Sequence, residues 1–404
     1  MGEQLEKQTP LEDELPRALE RQEFQLHYQA IVGLEREQIV GFEALLRWMH
    51  PSRGVIYPAE FLPVAENTDL IVPLTQWTLR EVCRQIGRWQ AVLGGTLPLT
   101  VSTNLSVGYL AASSLAQELS DIASASQLNL GALRCEINAV QIPSNPELMT
   151  RTLFDLKEMG IGVILDDFGS GYISLRHLAH LPVCALKIDR SLVPNLPSDR
   201  ENRSIVQAII ALGHSLGLEV IAKGVETAEQ LAVLQEMECE YAQGYYFSPA
   251  QDHDGASILL SETIQMSRGR EVAVSRLRPF EVFAGLHPED LNEIVQSCRE
   301  VAVPMDTLVI RQGQVGNRIY LLEEGSVATY RSSGETHHFL RILMAPAVVG
   351  EMAVVDPERI RTLNVRSLTA LRLLSIPVPV FLSFLRKFPA LGRNLRKLLA
   401  ERSG

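Results

Sequence analysis

The stretch GVILDDFG, residues 162–169, contains the pattern from which the fold of this chain can be predicted. Three apolar residues follow Gly162 and lead directly into Asp166 and Asp167, and a second glycine stands at Gly169. A short apolar run that ends in charged side chains beside a glycine is typical of a buried strand that points its last residues into a pocket. We therefore expect a strand here, with a functional site at its carboxyl end.

Runs of the same kind recur on both sides, from about residue 23 to 250, and alternate with segments that carry apolar residues at helical spacing. The strand-like runs are FQLHYQAIV (24–32), QIVGFEALLRW (38–48), LTVSTNLSV (99–107), LRCEINAV (133–140), ALKID (185–189), EVIAKGV (219–225) and YAQGYYF (241–247). Such alternation predicts parallel strands joined by crossover helices. An eight-stranded α/β barrel fits the length and the count, and a doubly wound open sheet is the alternative.

The second part of the chain shows a different pattern of predicted secondary structure. Residues 251–276 indicate a last helix followed by a polar, Arg-rich connector, and short β-type runs with Gly and polar turns dominate after them. Helical segments flank these runs on both sides. The pattern predicts a small β-roll or barrel with helices at its ends.

The length and composition of the chain agree with a two-domain globular protein. The chain has 404 residues, of which 46% are hydrophobic and 21% charged. No apolar run approaches the roughly 20 residues that span a bilayer, and the polar N-terminus lacks a signal core, so we expect a cytoplasmic protein without a membrane span. The five cysteines form no C-x-x-C pair and are expected to be free, buried thiols. A net charge of −11 argues against a nucleic-acid binder but allows a small anionic ligand in a local pocket.

Polar side chains gather at the carboxyl ends of the expected strands, which meet at one mouth of a parallel barrel. They are Glu43, Asn104, Glu136, Asp166, Asp167, Lys187, Lys223 and Gln243. Carboxylates and an amide suit Mg²⁺ or Mn²⁺, and an adjacent Asp pair offers a bridging carboxylate for two-metal phosphodiester cleavage. The alternative for any single one of these residues is that it only marks the solvent boundary.

These motifs resemble the EAL family of cyclic di-GMP phosphodiesterases over roughly residues 10–255. The matching segments are EALLRW (43–48), HPSRGVIYPAEFLPVAE (50–66), TNLS (103–106), DDFGSGYISL (166–175), LKID (186–189) and QGYYFSP (243–249). The resemblance implies a modified (β/α)8 TIM-like barrel. It also implies that Mg²⁺ or Mn²⁺ would be held by Glu43, Asn104, Glu136, Asp166 and Asp167. In the same way, Lys187 would position the attacking water, Gln243 would support the site, and Arg47 would contact a phosphate of cyclic di-GMP.

Two positions depart from the family pattern. The family carries a second glutamate after the Glu136 motif, which braces the loop that follows the DDFG strand, and this chain has Ala139 there. The family also reads A-E-G-V-E-T, with its first Glu a ligand of the second metal, where this chain reads AKGVET with Lys223. A protonated lysine cannot bind a metal ion, and the neighbouring aspartates favour its charged form. We expect impaired hydrolysis, while the ammonium group attracts the phosphates of the ligand in place of a cation.

The stretch VVGEMAVVDPERIRTLNVRS, residues 348–367, is the most informative part of the second region. A glycine turn, a glutamate and an arginine followed by a hydroxyl residue can form a compact anion pocket, although a pattern this short is also found in ordinary surface turns. With the flanking β-roll and helices, it resembles the cyclic nucleotide-binding domain of catabolite activator proteins and protein kinase A regulatory subunits, over about residues 279–400. The resemblance implies that Gly350 and Glu351 contact the ribose and that Arg361, supported by Thr362, contacts the cyclic phosphate of cAMP or cGMP. Arg359 is the rival phosphate ligand.

Together these observations predict a bacterial second-messenger signalling protein. Its expected parts are an EAL domain (10–255), a helix and connector (256–278) and a cyclic nucleotide-binding domain (279–404). The impaired EAL domain would act as a cyclic di-GMP receptor or interaction module, coupled to cAMP or cGMP sensing. One alternative is an active phosphodiesterase that produces pGpG, with Glu226 helping to hold the second metal; another is a ligand-free dimerisation scaffold.

The expected partners follow from the same resemblances. Both families suggest a homodimer, and a protein effector of unknown identity would read the signal. No helix-turn-helix follows the β-roll, so no DNA-binding domain is expected. The basic terminal segment FLSFLRKFPALGRNLRKLLAER (381–402) is expected to be a lid or dimer helix on the β-roll rather than a membrane-surface helix.

Overall fold

The computed structural model describes residues 11–68, 70–93, 99–110, 115–126, 129–139, 146–171, 174–267, 272–333, 336–356 and 359–403. The chain divides into two compact units, Met1–His253 and Asp254–Gly404. Part of the expected connector, residues 268–271, lies outside the described residues, as do Tyr172 and Ile173 of the DDFGSGYISL motif. The domain boundaries expected from the sequence stay a prediction.

The first unit contains a closed barrel of eight strands with one additional short strand. The strands are β1 (Phe24–Gly33), β2 (Gln38–His50), β3 (Gly54–Ile56), β4 (Thr100–Asn104), β5 (Leu133–Asn138), β6 (Gly162–Phe168), β7 (Ala185–Ile188), β8 (Glu219–Lys223) and β9 (Tyr241–Gln243). Their order is β1-β9-β8-β7-β6-β5-β4-β2-β3, and an additional β1–β2 pairing closes the ring. The eight-stranded α/β barrel predicted from the sequence is therefore confirmed, and the open-sheet alternative is wrong.

One strand of the barrel differs from the parallel arrangement expected from the alternation. β1 runs antiparallel to both of its neighbours, β2 and β9, whereas the pairings from β2–β4 through β8–β9 are parallel. The reason is the length of the first connection, because only residues 34–37 separate β1 from β2. So short a loop can form a hairpin but cannot carry the crossover that parallel strands require.

Helices surround the barrel where the sequence shows helical spacing. They are α1 (Leu11–Glu20), α2 (Pro58–Asn67), α3 (Ile71–Leu93), α4 (Val107–Leu110), α5 (Leu115–Ser126), α6 (Pro146–Glu158), α7 (Leu175–Leu178), α8 (Arg200–Leu216) and α9 (Ala228–Glu236). Local sequence fixes several of their ends. Asp199 caps α8 by accepting from the backbone N–H groups of Glu201 and Asn202, and Gly217, at φ 70°, ends it. α9 begins with a capping box in which Thr227 and Gln230 bond each other's backbone N–H groups.

The second unit is a β-roll made of two four-stranded antiparallel sheets. Its strands are β10 (Arg299–Val303), β11 (Leu308–Ile310), β12 (Arg318–Glu324), β13 (Ser326–Ser333), β14 (Thr336–Met344), β15 (Ala347–Val349), β16 (Asn364–Ser367) and β17 (Leu371–Pro377). The sheet orders are β10-β17-β12-β15 and β11-β16-β13-β14. The predicted small β-roll is confirmed.

Helices stand before, within and after the β-roll. They are α10 (His253–Ser267), α11 (Pro288–Gln296), α12 (Met352–Val355), α13 (Val378–Lys387) and α14 (Pro389–Ser403). The last two pack on the roll through Phe381, Phe384, Leu391 and Leu395, which belong to one buried apolar cluster. The terminal segment therefore lies on the β-roll, as expected from its amphipathic pattern.

All five cysteines are free, and four of them are buried, in agreement with the expectation from their spacing. Cys184 is partly exposed. Within the described residues, none of the helices combines the length and the apolarity that crossing a bilayer requires.

Candidate functional site

The carboxyl ends of the parallel strands bring the predicted polar residues to one end of the barrel. They are Glu43 on β2, Asn104 on β4, Glu136 on β5, Asp166 and Asp167 on β6, Lys187 on β7, Lys223 on β8 and Gln243 on β9. The structure arranges these residues in two groups, each organised by one lysine. We refer to them below as the Lys187 group and the Lys223 group.

The charged side chains of the Lys187 group are buried. The Lys187 ammonium donates to Glu43 Oε2 at 2.6 Å and to both oxygens of Glu136 at 2.8 Å. Lys187 and Glu136 are each 0% exposed, and Glu43 is 6% exposed. A buried charge is tolerated when it is paired and hydrogen-bonded. The ion pairs between the Lys187 ammonium and the two carboxylates therefore offset the cost of burying these charges.

Amides and a hydroxyl complete the shell of the Lys187 group. Asn104 Nδ2 donates to Glu43 Oε1 at 3.1 Å, and Gln243 Nε2 donates to Glu43 Oε2 at 2.7 Å. Gln243 Nε2 also donates to Gln29 Oε1 on β1, and the Ser102 hydroxyl donates to Glu136. The other amide atom, Gln243 Oε1, is buried without a hydrogen-bond partner in the described part of the chain. It is an acceptor that a bound donor could satisfy.

The Lys223 group contains the two adjacent aspartates. Lys223 Nζ lies 2.7 Å from Asp166 Oδ1 and 2.5 Å from Asp167 Oδ1, and the Asp166 contact is an ion pair without hydrogen-bond geometry. Asn138 Nδ2 donates to the other oxygen of Asp167 at 2.7 Å. The Lys223 side chain is 19% exposed, whereas the Lys187 side chain is 0% exposed, so only the Lys223 ammonium group is accessible to solvent.

A backbone irregularity allows both aspartates to face the same lysine. Successive side chains of a regular strand point to opposite faces. The register between β6 and β7 shifts between Leu165 and Phe168, and Asp167 adopts φ 53° in the left-handed region. A bulge with one left-handed residue redirects the chain locally, and aspartate tolerates that conformation better than most residues. The strand end is therefore shaped so that neighbouring carboxylates converge.

Electrostatics keep both lysines charged. Burial lowers the pKa of Lys187 and of Lys223, but the neighbouring carboxylates outweigh burial and raise the pKa of each ammonium above its usual value. Burial also raises the pKa of Glu43, yet Lys187 and Gln243 oppose it and hold that pKa at about 2. The pKa of Glu136 is raised by burial and then by the charge of Glu43. Neither lysine can offer a lone pair to a metal ion in this state.

The side chains at this end of the barrel do not meet the needs of a two-metal site. The carboxylates of Asp166 and Asp167 are paired with the Lys223 ammonium group. Within the described ranges, no group of three or more His, Cys, Asp or Glu side chains is arranged to hold a metal ion. The second cation therefore does not fit. The four carboxylates of Glu43, Glu136, Asp166 and Asp167 are thus already paired with two ammonium groups, and the Asn104 amide is the remaining oxygen donor of the predicted metal set.

Three other predicted positions lie around this end of the barrel. Arg47 is buried on β2, four residues after Glu43 and so on the same strand face, and its guanidinium lies 5.0 Å from the centre of the Tyr57 ring. Glu226 is exposed after β8, and no contact joins its side chain to either lysine group among the described residues. Ala139 is buried directly after β5 and offers no carboxylate.

The β-roll contains a second candidate site, a cavity of about 480 Å³. It is lined by the predicted residues Gly350, Glu351, Arg361 and Thr362. Gly350 adopts φ 86°, and a Cβ added there would lie 2.5 Å from Arg361 Nη1, so glycine is needed for this close approach. The four residues predicted to contact the cyclic nucleotide are thus brought together in one pocket.

Arg361 and Arg359 differ in their surroundings. Arg361 is 7% exposed and lines the cavity, and Nη1 donates to the Gly350 carbonyl oxygen at 2.7 Å. Burial lowers the pKa of Arg361, with the neighbouring Glu351 carboxylate opposing that effect. Arg359 stands at φ 57° in the turn before β16 and does not line this cavity in the described residues. The geometry favours Arg361 as the anion ligand of the pocket.

The terminal helix contributes a residue that the sequence did not single out. Arg402 Nη1 on α14 donates to Glu351 Oε1 at 2.6 Å and to the Val348 carbonyl oxygen at 2.7 Å. Arg402 also lines the cavity. The pairing joins residues 51 positions apart, and no local sequence signal identifies it.

Comparison with known proteins identifies both units. The family model for the EAL domain matches residues 12–250, and the model for the cyclic nucleotide-binding domain matches residues 300–388. The bifunctional diguanylate cyclase/cyclic di-GMP phosphodiesterase MucR of Pseudomonas aeruginosa is 38% identical over 245 residues, which cover 61% of this chain and 36% of MucR. The chain spans about a third of the length of the curated relatives it matches.

Two solved structures show the similarity in three dimensions. The PaMucR phosphodiesterase in complex with c-di-GMP matches with a TM-score of 0.58 and 37% identity, covering 60% of this chain and 98% of that one. The EAL enzyme Bd1971, in its cAMP- and cyclic-di-GMP-bound form, matches with a TM-score of 0.60 and 30% identity, covering 62% of this chain and 68% of that one. The chain belongs to the EAL domain family and, with its C-terminal cyclic nucleotide-binding domain, is a signalling protein of the cyclic di-GMP phosphodiesterase family.

Proposed function

We propose that the EAL barrel binds cyclic di-GMP without cleaving it and that the β-roll senses cAMP or cGMP. The observation that carries this proposal is the Lys223 ammonium between the Asp166 and Asp167 carboxylates. Two-metal phosphodiester cleavage uses one cation for the attacking oxygen and one for the leaving oxygen. An ammonium group balances one of the two aspartate charges but provides no Lewis-acid coordination, so the leaving oxygen loses most of its stabilisation.

Retained binding is supported by the groups that remain. Lys223 is partly exposed at the mouth, and Arg47 lies on the same face of β2 as Glu43, so we assign these two cations to the two phosphates of a cyclic dinucleotide. A Mg²⁺ or Mn²⁺ ion would reach Glu43, Glu136 and Asp166 only by displacing the lysine ammonium groups that pair with them, so the proposed binding does not depend on a metal ion. The chain is similar to a structure named as a c-di-GMP complex.

Binding of a cyclic mononucleotide by the β-roll is supported by its cavity. Arg361 provides a buried cation for the cyclic phosphate, and Glu351 provides an acceptor for ribose hydroxyls. Thr362 is exposed at the rim, where its hydroxyl can reach a phosphate oxygen. The similar EAL enzyme Bd1971 is named in cAMP-bound and cGMP-bound forms. The signal would pass to a protein effector, with a homodimer as the functional unit.

Activity measurements test the first part of the proposal. Linearisation of cyclic di-GMP is followed with Mg²⁺ and with Mn²⁺, in the presence and absence of cAMP. We expect no turnover above background. Turnover that disappears in Glu43→Ala would establish the alternative, an active phosphodiesterase regulated by cyclic nucleotide, whereas turnover that survives this substitution comes from a contaminant.

Calorimetric titration tests the binding roles. We expect saturable binding of cyclic di-GMP and of cAMP or cGMP, and Arg361→Gln should abolish only the latter. Arg359→Gln is the matched control and should leave cyclic mononucleotide binding within about twofold of wild type, the range of a surface substitution. Absence of binding for every nucleotide would instead support a dimerisation scaffold.

A further inference from the structure

The last turn of α14 reaches the predicted ribose-binding end of the β-roll cavity. Arg402 Nη1 bonds both Glu351 Oε1 and the Val348 carbonyl oxygen, and Arg341 Nη2 donates to the Arg402 carbonyl oxygen at 2.7 Å. Both the side chain and the backbone of Arg402 are therefore tied to the rim of the pocket. These contacts connect the terminal helix to the carboxylate that the proposed function assigns to the ligand.

The two oxygens of Glu351 have different surroundings. Oε1 accepts from Arg402, whereas no hydrogen bond to Oε2 is found within the part of the chain that the structure describes. The side chains of Glu351 and Arg402 are 6% and 17% exposed. Separating a buried ion pair leaves an uncompensated charge and is strongly unfavourable. A ribose hydroxyl therefore binds Glu351 Oε2 at lower cost than it would bind Oε1, where it would have to displace the Arg402 guanidinium.

The charge of Arg402 also bears on the ligand's phosphate. An unpaired Glu351 carboxylate would stand in the same cavity as the cyclic phosphate and repel it. Pairing with Arg402 neutralises this carboxylate and leaves Arg361 as the buried cation available to the phosphate. The same contact therefore orients the acceptor of the ribose and removes a repulsion.

We propose that Arg402 is a positioning residue for ribose recognition. It holds Glu351 so that the carboxylate accepts the 2′-hydroxyl, and it thereby makes the pocket selective for ribonucleotides over 2′-deoxyribonucleotides. The proposal rests on the proposed function of the β-roll as a cyclic mononucleotide sensor. It gives the terminal helix a role in ligand selectivity beyond covering the roll.

Titration of the full chain with cAMP, 2′-deoxy-cAMP, cGMP and 2′-deoxy-cGMP tests the proposal. In wild type we expect the ribonucleotide to bind about tenfold or more tightly than its deoxy analogue, the effect of one hydrogen bond to a charged acceptor. Arg402→Gln should reduce this ratio to about threefold or less. Arg402→Lys, which keeps a cation, should restore part of the ratio. Arg396→Gln, an exposed position on the same helix, is the matched control and should leave the ratio unchanged.

A double substitution separates positioning from a merely structural role. Glu351→Gln should lower the ratio as Arg402→Gln does, and the combination should lower it no further, because both act through one hydrogen bond. Equal loss of affinity for the ribo and deoxy forms in Arg402→Gln would overturn the proposal. Tighter ribonucleotide binding in that variant would also overturn it, by showing that the ion pair competes with the ligand.

Thermal unfolding establishes that each variant is folded, and where Arg402→Gln fails to fold, Arg402→Lys with Glu351→Gln carries the comparison. Absence of binding in wild type, for all four nucleotides, would refute the sensor function and the positioning role together. Binding in wild type with an unchanged ratio in Arg402→Gln would refute the positioning role alone.

Discussion

At the scale of single residues, two lysines organise the charged side chains at one end of the EAL barrel. Lys187 is buried and forms ion pairs with two glutamates, whereas Lys223 is partly exposed and forms ion pairs with the two aspartates. From the sequence, Lys187 was expected to position water, a role that stays a prediction. Its burial between Glu43 and Glu136 could not be foreseen, because strand ends fix only which mouth a side chain faces.

Two residues that bond members of the lysine groups could have been found from the alternation of side chains along the strands. Ser102 stands two residues before Asn104, and Asn138 stands two residues after Glu136, so each shares the inward face of its strand. The structure places Ser102 against Glu136 and Asn138 against Asp167. In contrast, the pairing of Arg402 with Glu351 depends on how the terminal helix packs, and no spacing in the sequence encodes it.

The burial of Lys187 makes a stability prediction. Lys187→Met removes the ammonium and leaves two buried carboxylates facing each other, and we expect a loss of about 3–5 kcal/mol in the free energy of unfolding. Urea denaturation measures this loss. Lys397→Met, at a side chain that is 73% exposed in an ion pair with Glu401, is the control and should change stability by less than about 1 kcal/mol. If Lys187→Met lowers the free energy of unfolding no more than the control does, Lys187 does not stabilise the buried carboxylates of Glu43 and Glu136.

The two departures from the family pattern make a prediction about activity. Lys223→Glu replaces the ammonium with a carboxylate but should restore little hydrolysis of cyclic di-GMP, because Ala139 still provides no brace for the loop after β6. The double variant Lys223→Glu/Ala139→Glu should hydrolyse at least about tenfold faster than Lys223→Glu alone, the effect of about 1.4 kcal/mol on the barrier. Rates are compared with Mg²⁺ and with Mn²⁺. Strong rescue by the single substitution would show that the bracing idea is wrong.

At the scale of elements, the sequence predicted which segments form strands and helices better than it predicted their direction. Periodicity located each barrel strand, yet β1 is antiparallel, a result that the four-residue connection to β2 already required. The bulge at Asp166 and Asp167 carries no comparable signal, since a DD pair fits a regular strand end equally well. Tertiary contacts with Lys223 and Asn138 hold that conformation.

Two glycines allow the packing of these elements to be tested. Gly87 lies on α3, and a Cβ there would meet nothing within 4 Å, so Gly87→Ala should stabilise the protein by about 0.5–1 kcal/mol through helix propensity. Gly244 follows β9, and its Cβ would lie 2.0 Å from the Val225 carbonyl oxygen, so Gly244→Ala should destabilise by about 3 kcal/mol or more. Thermal and urea unfolding give both values. Similar effects of the two substitutions would contradict the close approach at Gly244.

At the scale of the whole molecule, the two proposed ligand sites on one chain would allow mutual regulation. The barrel and the β-roll each form a compact unit with its own core. A ligand at one site alters the other only through a difference between the states that it stabilises, and such coupling is reciprocal in its binding free energies.

Reciprocity gives a quantitative expectation. The factor by which saturating cAMP changes the affinity for cyclic di-GMP should equal the factor by which saturating cyclic di-GMP changes the affinity for cAMP, and we expect about 5–150-fold, the usual range of coupling. Calorimetric titration of each nucleotide, alone and in the presence of the other, measures both factors. A factor of one in both directions would contradict the proposed coupling between the domains.

The central claim is that the barrel holds cyclic di-GMP and leaves it intact. The most direct measurement incubates the wild-type protein with a slight excess of cyclic di-GMP and Mn²⁺, separates bound from free nucleotide, and identifies the bound species by chromatography. The account predicts that the protein retains close to one equivalent of unaltered cyclic di-GMP. Recovery of a linear product that is absent with Glu43→Ala would contradict it, as would the absence of any retained nucleotide.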